Sequence, residues 1–416
     1  MVNNTINRGA IKSSTYFLLS DSATLNFNMS DSSSKEQHFV ISTSEKTWAE
    51  IAPFGTKQVV PFPLESNQLY TLSRFAYLHN LDGKMVLESP LAHCQVILYD
   101  ERSLAIFHAL SAPQTLAQLG NQFSDIPQDI IATFLSWLLG EKFLAVTDKD
   151  GTVNEEPSLH LWELHDLLFH ARSRLGRHNY PYGKSNLHLG KIEPLPAVKS
   201  SNSFATITLY QPNIEALMDC DIPFTRVMEQ RRSQRQQGKQ PITIEQLGEF
   251  LYRTARIRSL KMTESVEYEF SDRPYPSGGA CYELELYLII NACQGIESGL
   301  YHYCPKEHFL CQLNGYTGEV YKLSCQAVTE SGLPQVLIIL AARFSRVAWK
   351  YRSLAYSLTL KHVGVLYQSM YLVATAMELA SCAIGGGDSD LFAEATKTDY
   401  LIETSVGEFI LGSQAD

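Results

Sequence analysis

Residues 273–290 read RPYPSGGACYELELYLII, a proline- and glycine-rich run that passes directly into a stretch of strand type. Gly278 and Gly279 let a backbone approach a flat ligand and offer N–H groups to its heteroatoms, although Pro274, Pro276 and Ser277 are also ordinary turn residues. The strand ELELYLII (283–290) has company in the C-terminal half. GLYHYC and HFLCQL form an expected hairpin around Pro305, and VLIIL (336–340), apolar without a break, reads as a central strand. Thr243 opens a helix in which Gln246 completes a capping box and Leu247, Phe250, Leu251 and Thr254 line one face. The segment from Leu354 to Ala380 reads as a helix apolar nearly all round, which belongs in a core or a subunit interface. Its most membrane-like part, Val363 to Met377, is flanked by Lys361, His362 and Glu378 and falls short of the ~20 apolar residues of a span. These elements predict an α+β domain over residues 205–416, an antiparallel-rich sheet flanked by helices.

Upstream, short alternating runs at Tyr16–Leu19 and His38–Ile41 predict a β-rich segment over 1–68. FAYLHN and KMVLES flank Asp82-Gly83, a pair suited to the positive φ of a tight hairpin. The strand-like CQVILYD then leads to helical patterns at Arg102–Leu110, Gln114–Phe123 and Gln128–Leu139 and to the apolar run FLAVT. That order suggests a small winged-helix or peptide-clamp-like α+β domain over 69–175. Its acidic side chains, Asp100, Glu101, Asp125, Asp129 and Glu141, favour peptide binding or a structural role over DNA. Residues 176–204 have the Gly/Pro-rich composition of an extended surface linker.

A chain of 416 residues exceeds one ordinary core, and 45% hydrophobic with 19% charged residues describes a folded protein with little disorder. The formal net charge of −10 argues against a nucleic-acid partner. Eight cysteines without a Cys-x-x-Cys pair read as reduced thiols, and residues 1–19 lack a signal-peptide run, so a cytoplasmic protein is expected. His165, His170 and His178 lack the i, i+4 spacing of a helical metal pair and read as exposed or capping residues; no metal site is expected.

Three further motifs carry candidate chemistry. Arg231, Arg232, Ser233 and Arg235 would place three guanidinium groups and a hydroxyl within about one and a half helical turns, a set suited to phosphate, or to a solvated helix face. Ile384, Gly385, Gly386 and Gly387 would end the long helix; one glycine is an ordinary cap, and three suggest backbone beside a ligand or a mobile loop. Lys350 and Tyr351 are candidate general bases, or plain surface residues.

Taken together and in order, RRSQR, RPYPSGGACYELELYLI, GLYHY, WKYRSLAYSLTLKHVG and CAIGGGDSD resemble the flavin oxidoreductases of the nitroreductase superfamily over about residues 225–412. More closely they resemble its azoline-oxidase branch, the SagB/McbC-type dehydrogenases, and the leader with LLFHARSRLGRH is similar to that of the cyanobactin oxidases. The resemblance implies a homodimer with two FMN sites at its interface. It implies that Arg231, Arg232, Ser233 and Arg235 hold the FMN phosphate and ribityl chain. Pro276, Ser277, Gly278 and Gly279 would line the ring from one side, while Ile384, Gly385 and Gly386 approach its reactive edge. Lys350 and Tyr351 match the pair credited with proton abstraction, and oxygen would reoxidise the flavin. The substrate implied is a peptide whose thiazoline or oxazoline rings become thiazoles or oxazoles. Two positions depart from the pattern: Glu283 stands where many relatives have proline, and Ser405 stands before Val406-Gly407 where proline is frequent. Competing readings are an NAD(P)H-dependent nitro or quinone reductase and a peptide-binding scaffold subunit.

Overall fold

A computed structural model describes residues 24–29, 37–42, 46–200, 205–263, 268–330 and 332–415, and the expected strand at Tyr16–Leu19 lies outside them. The chain divides into two compact units, Met1–Tyr180 and Pro181–Asp416.

In the first unit, strands β1 (Thr24–Met29), β2 (Gln37–Ser42), β3 (Thr47–Pro53), β4 (Leu69–Leu72), β5 (Tyr77–Leu81), β6 (Lys84–Glu88) and β7 (Cys94–Leu98) come first. Helices α1 (Glu101–Ala109), α2 (Leu116–Gln122) and α3 (Gln128–Gly140) follow, then β8 (Leu144–Thr147) and α4 (Leu164–Arg172). One antiparallel sheet runs β1-β2-β3-β7-β6-β5. Strands from either side of residue 68 share it, so the fold has no division there. The β5–β6 turn does use Asp82 (φ 51°) and Gly83 (φ 81°). Strand β8 pairs with β4 across the three helices and turns back on itself, with Thr147 bridged antiparallel to Val153. Ile130, Ile131, Phe134, Leu135 and Leu138 of α3 pack with Trp48, Ile51 and Val96 of the sheet. Of the histidines expected to be exposed or capping, His178 is buried.

The second unit opens with β9 (Gly183–Lys184), β10 (Thr206–Thr208), α5 (Ile214–Cys220), α6 (Phe224–Gln230), α7 (Ile244–Ala255), β11 (Ser259–Thr263) and β12 (Tyr268–Asp272). After a 3-10 turn at Gly278–Ala280 come β13 (Leu284–Ile290), β14 (Gly299–Cys304), β15 (Phe309–Gly315), α8 (Gly318–Cys325) and β16 (Val336–Arg343). The chain continues through α9 (Ser345–Ala348), β17 (Tyr351–Arg352), α10 (Ala355–Ala376), β18 (Leu379–Ile384), α11 (Ser389–Thr396) and β19 (Glu403–Ser413). A seven-stranded antiparallel sheet, β10-β15-β14-β13-β16-β19-β18, forms the centre. The run Val336–Ala342 of β16 is apolar without a break because both faces of the sheet are covered there. Leu286, Leu288, Ile338 and Leu340 meet Leu247 and Phe250 of α7 and Leu366 and Met370 of α10. Their neighbours Tyr287, Ile289, Leu337 and Ile339 meet Val320 and Leu323 of α8 and Phe392 of α11. Thr243 caps α7 through the expected box with Gln246. Among the described residues no helix is long and apolar enough to cross a membrane.

Three sequence expectations change. The long helix stops at Ala376, because Glu378 adopts φ 54° and turns the chain into β18, which pairs with β19. The glycines at 385–387 therefore follow a strand and not a helix. Residues 231–235 are not helical either: α6 ends at Gln230, and Gln234 N–H donates to Ser381 O on the open edge of β18. Third, much of the expected linker is structured. Gly183–Lys184 pairs with Tyr351–Arg352, and Ile192 O accepts from Trp349 Nε1 at 2.6 Å.

Candidate functional site

The glycine turn and the Lys-Tyr pair meet. Lys350 Nζ donates to Gly279 O at 2.8 Å, and a Cβ added to Gly279 would collide with the Tyr351 hydroxyl. Gly279 has φ 61°, so this position asks for glycine both by conformation and by space. Lys350 is 8% exposed, with its amine 4.7 Å from the Phe270 ring centre and 5.3 Å from that of Tyr268. Burial holds that amine below the usual lysine range; Lys184 and Arg346 press it further, against the opposing Cys281 thiol. Burial moves Tyr351 the other way, raising its hydroxyl and keeping it a phenol. Arg346, with 0% exposure, donates to Cys281 O at 2.7 Å, to Glu269 O at 2.9 Å and to Leu195 O. It fastens β12, the glycine turn and the segment before residue 200 around Lys350.

Sequence reasoning missed two residues behind that turn. Gly278 N–H donates to His362 Nε2 at 2.7 Å, and the other ring nitrogen lies 2.7 Å from Glu283 Oε1. The Gly278 N–H is thus engaged within the protein and is not free for a ligand, a correction to the reading of the paired glycines. Ser277 Oγ accepts from Tyr282 N–H at 3.0 Å. Pro276 precedes Ser277, which is the N-cap of the turn.

The second constellation lies along β18. Ile384, Gly385 and Gly386 line a cavity of about 320 Å³ with Val363 and Tyr367 of α10 and with Ser405, Val406 and Glu408 of β19. A Cβ on Gly385 or Gly386 would meet nothing within 4 Å, so the protein's own packing does not require glycine there. At Gly387 a Cβ would strike the Glu408 carboxyl, which burial pushes up to about 7.

The basic run sits further along the same strand. Tyr371 OH accepts from Ala383 N–H at 2.7 Å and lies 3.0 Å from Ser233 Oγ, while the Arg231 guanidinium is 5.3 Å from the Tyr371 ring centre. Arg232 and Arg235 are exposed. Among the described residues no carboxylate pairs with Arg231, Arg232 or Arg235, which suits them to an anionic ligand. Helix α10 thus serves both constellations, through His362 at the glycine turn and Tyr371 at the basic run. Nine residues separate the two, about 14 Å along the axis and two and a half turns, so they point to opposite sides. Among the described residues no group of His, Cys, Asp and Glu is arranged to hold a metal.

Residues 70–179 match the family model of the cyanobactin oxidase ThcOx, and residues 228–412 match that of the nitroreductase family. The nitroreductase MJ1384 of Methanocaldococcus jannaschii is 26% identical over 181 residues, 43% of this chain and 84% of that protein. The microcin B17-processing protein McbC of Escherichia coli is 29% identical over 133 residues, 30% of this chain. The matched region spans about half of McbC, 49% of its length. Among solved structures, a chain of the E. coli microcin synthetase McbBCD complex with truncated pro-MccB17 bound is 23% identical, with a TM-score of 0.38. That likeness covers 47% of this chain and 74% of that one.

Proposed function

We infer that this chain, a SagB/McbC-type member of the nitroreductase family through residues 228–412 with a cyanobactin-oxidase segment at 70–179, oxidises azoline rings of a peptide to aromatic azoles. The observation that carries the reading is the convergence of Lys350 and Tyr351 on Gly279. Aromatising an azoline removes an acidic proton beside a carbonyl and a hydride, so a base and a two-electron acceptor must face one ring. FMN, when bound, would supply the two-electron acceptor for the hydride, with oxygen as the final oxidant.

Lys350 is the base of the pair, because burial weakens the hold of its amine on a proton. Tyr351 stays protonated and donates its hydrogen to the substrate, drawing electron density from the ring and acidifying the proton that Lys350 removes. Arg231, Arg232, Ser233 and Arg235 would hold the FMN phosphate and ribityl chain. Pro276, Ser277, Gly278 and Gly279 would line one face of the ring, and Ile384, Gly385 and Gly386 its reactive edge. The open space beside Gly385 and Gly386 supports that fit. Because the basic run and the Lys-Tyr pair lie toward opposite sides of α10, one flavin cannot readily draw on both from one protomer. This supports a homodimer with each FMN shared between protomers. The first unit, Met1–Tyr180, would hold the peptide.

The test is aerobic incubation of FMN-loaded protein with a thiazoline peptide, followed by mass spectrometry. Loss of two hydrogens per ring is expected, and Lys350→Ala should abolish it with the flavin retained. Rapid bleaching of the flavin by NADPH without ring oxidation would instead assign the protein to the nitro and quinone reductases.

A further inference from the structure

Glu283 is fully buried at the start of the central strand pair, in a position where a carboxylate is costly unless it is compensated. One of its oxygens is 2.7 Å from His362 Nδ1, and the other has no hydrogen-bond partner. His362 is 5% exposed, and both of its ring nitrogens are engaged. A backbone N–H can only donate, so Nε2, facing Gly278 N–H, is the acceptor. The ring hydrogen therefore sits on Nδ1 and points at the Glu283 carboxylate. The residue that departs from the family pattern, Glu283, thus fixes the tautomer of a histidine that grips the glycine turn.

We propose that Glu283 and His362 are positioning residues for ring oxidation, clamping Gly278 so that the carbonyl of the adjoining Gly279 keeps the Lys350 amine aimed at its substrate. The hydrogen-bond chain runs from Glu283 through His362 to Gly278 N–H, and leaves the turn through Gly279 O to Lys350 Nζ. Gly279, at φ 61°, has the backbone freedom to relax if Gly278 is released. With neither ring nitrogen free, His362 touches no substrate and acts only through the turn. The inference rests on Lys350 being the base of the proposed oxidation.

His362→Gln and His362→Leu separate this role from the alternatives. A glutamine amide can accept from Gly278 and donate to Glu283; leucine can do neither. In His362→Leu, kcat for azoline oxidation by flavin-saturated protein should fall roughly 10- to 100-fold, the scale of a misplaced catalytic group, with KM unchanged. His362→Gln should recover most of that loss. A flavin-loaded glutamine variant as slow as the leucine variant, or a leucine variant as fast as wild type, overturns the clamp. If His362→Leu does not fold, the glutamine variant decides alone together with NMR of the histidine ring nitrogens in the wild-type protein. That measurement needs no turnover: hydrogen on Nδ1 is expected, and hydrogen on Nε2 overturns the proposal even in an active enzyme. Failure of the wild type to oxidise azolines would count against the reaction, while the tautomer would still decide the clamp.

Discussion

Replacing Gly279 with alanine is the sharpest perturbation of the proposed base. The new Cβ would lie 2.8 Å from Lys350 Nζ and 3.2 Å from its Cε, and closer still to the Tyr351 hydroxyl. Ordinary contact begins at 3.4 Å, so the amine must retreat by about 0.6 Å and the phenol by more. Gly279 is also held at φ 61°, where a side chain costs roughly 1–2 kcal/mol. A misplacement on the order of 1 Å at a reacting group lowers turnover by about 100-fold. Gly279→Ala should therefore lower kcat of the flavin-saturated protein by about that factor and lower Tm modestly. The assay is aerobic conversion of a thiazoline peptide followed by mass, alongside the visible flavin spectrum and thermal unfolding. Gly385→Ala is the control for stability alone, since its Cβ meets nothing in the protein and should leave the Tm of flavin-free protein unchanged. Normal turnover in Gly279→Ala would mean that Lys350 and Tyr351 do not act where they meet this turn.

Turnover of the wild type should rise with pH along a limb lying below the usual lysine range, because burial disfavours the Lys350 ammonium; a limb at the ordinary lysine value would remove it as the base. Glu408 gives a linkage of opposite sense. Its folded value of about 7 exceeds its unfolded value of 4.5, so the native state binds more protons and stability falls as pH rises between the two. Glu408→Gln should remove that slope, worth up to about 3 kcal/mol, in Tm measured across this window. Tyr371→Phe should cost about 1–3 kcal/mol in denaturant unfolding, because it strands Ala383 N–H without its acceptor.

The sequence makes local patterns legible and distant pairings obscure. The capping box of α7, the Asp82-Gly83 hairpin and the apolar runs of β13 and β16 depend on neighbours in sequence, and each appears as read. The end of α10 was hidden because LASCAI is apolar in either conformation, and only the left-handed Glu378 separates helix from strand. The extended path of Arg231 to Arg235 depends on a bond to the edge of a strand well over 100 residues on. The pairing of Glu283 with His362 spans 79 residues and has no periodic signature. A signal did exist: Glu283 and Glu285 open a strand otherwise apolar, and carboxylates buried there need partners. His302 and Arg343 answer Glu285, and His362 answers Glu283.

The segment that composition marks as dispensable sets where the protein can be cut. Ile192 and Leu195 lend their carbonyls to Trp349 and Arg346, both in the α9 turn that leads directly into Lys350. A chain begun after residue 200 would leave the buried Arg346 guanidinium short of one acceptor and β17 without its pairing strand. It would fail by losing its base, and the failure would be misread as loss of a substrate-holding domain. Any dissection of the two units should therefore sever the chain between Tyr180 and Pro181.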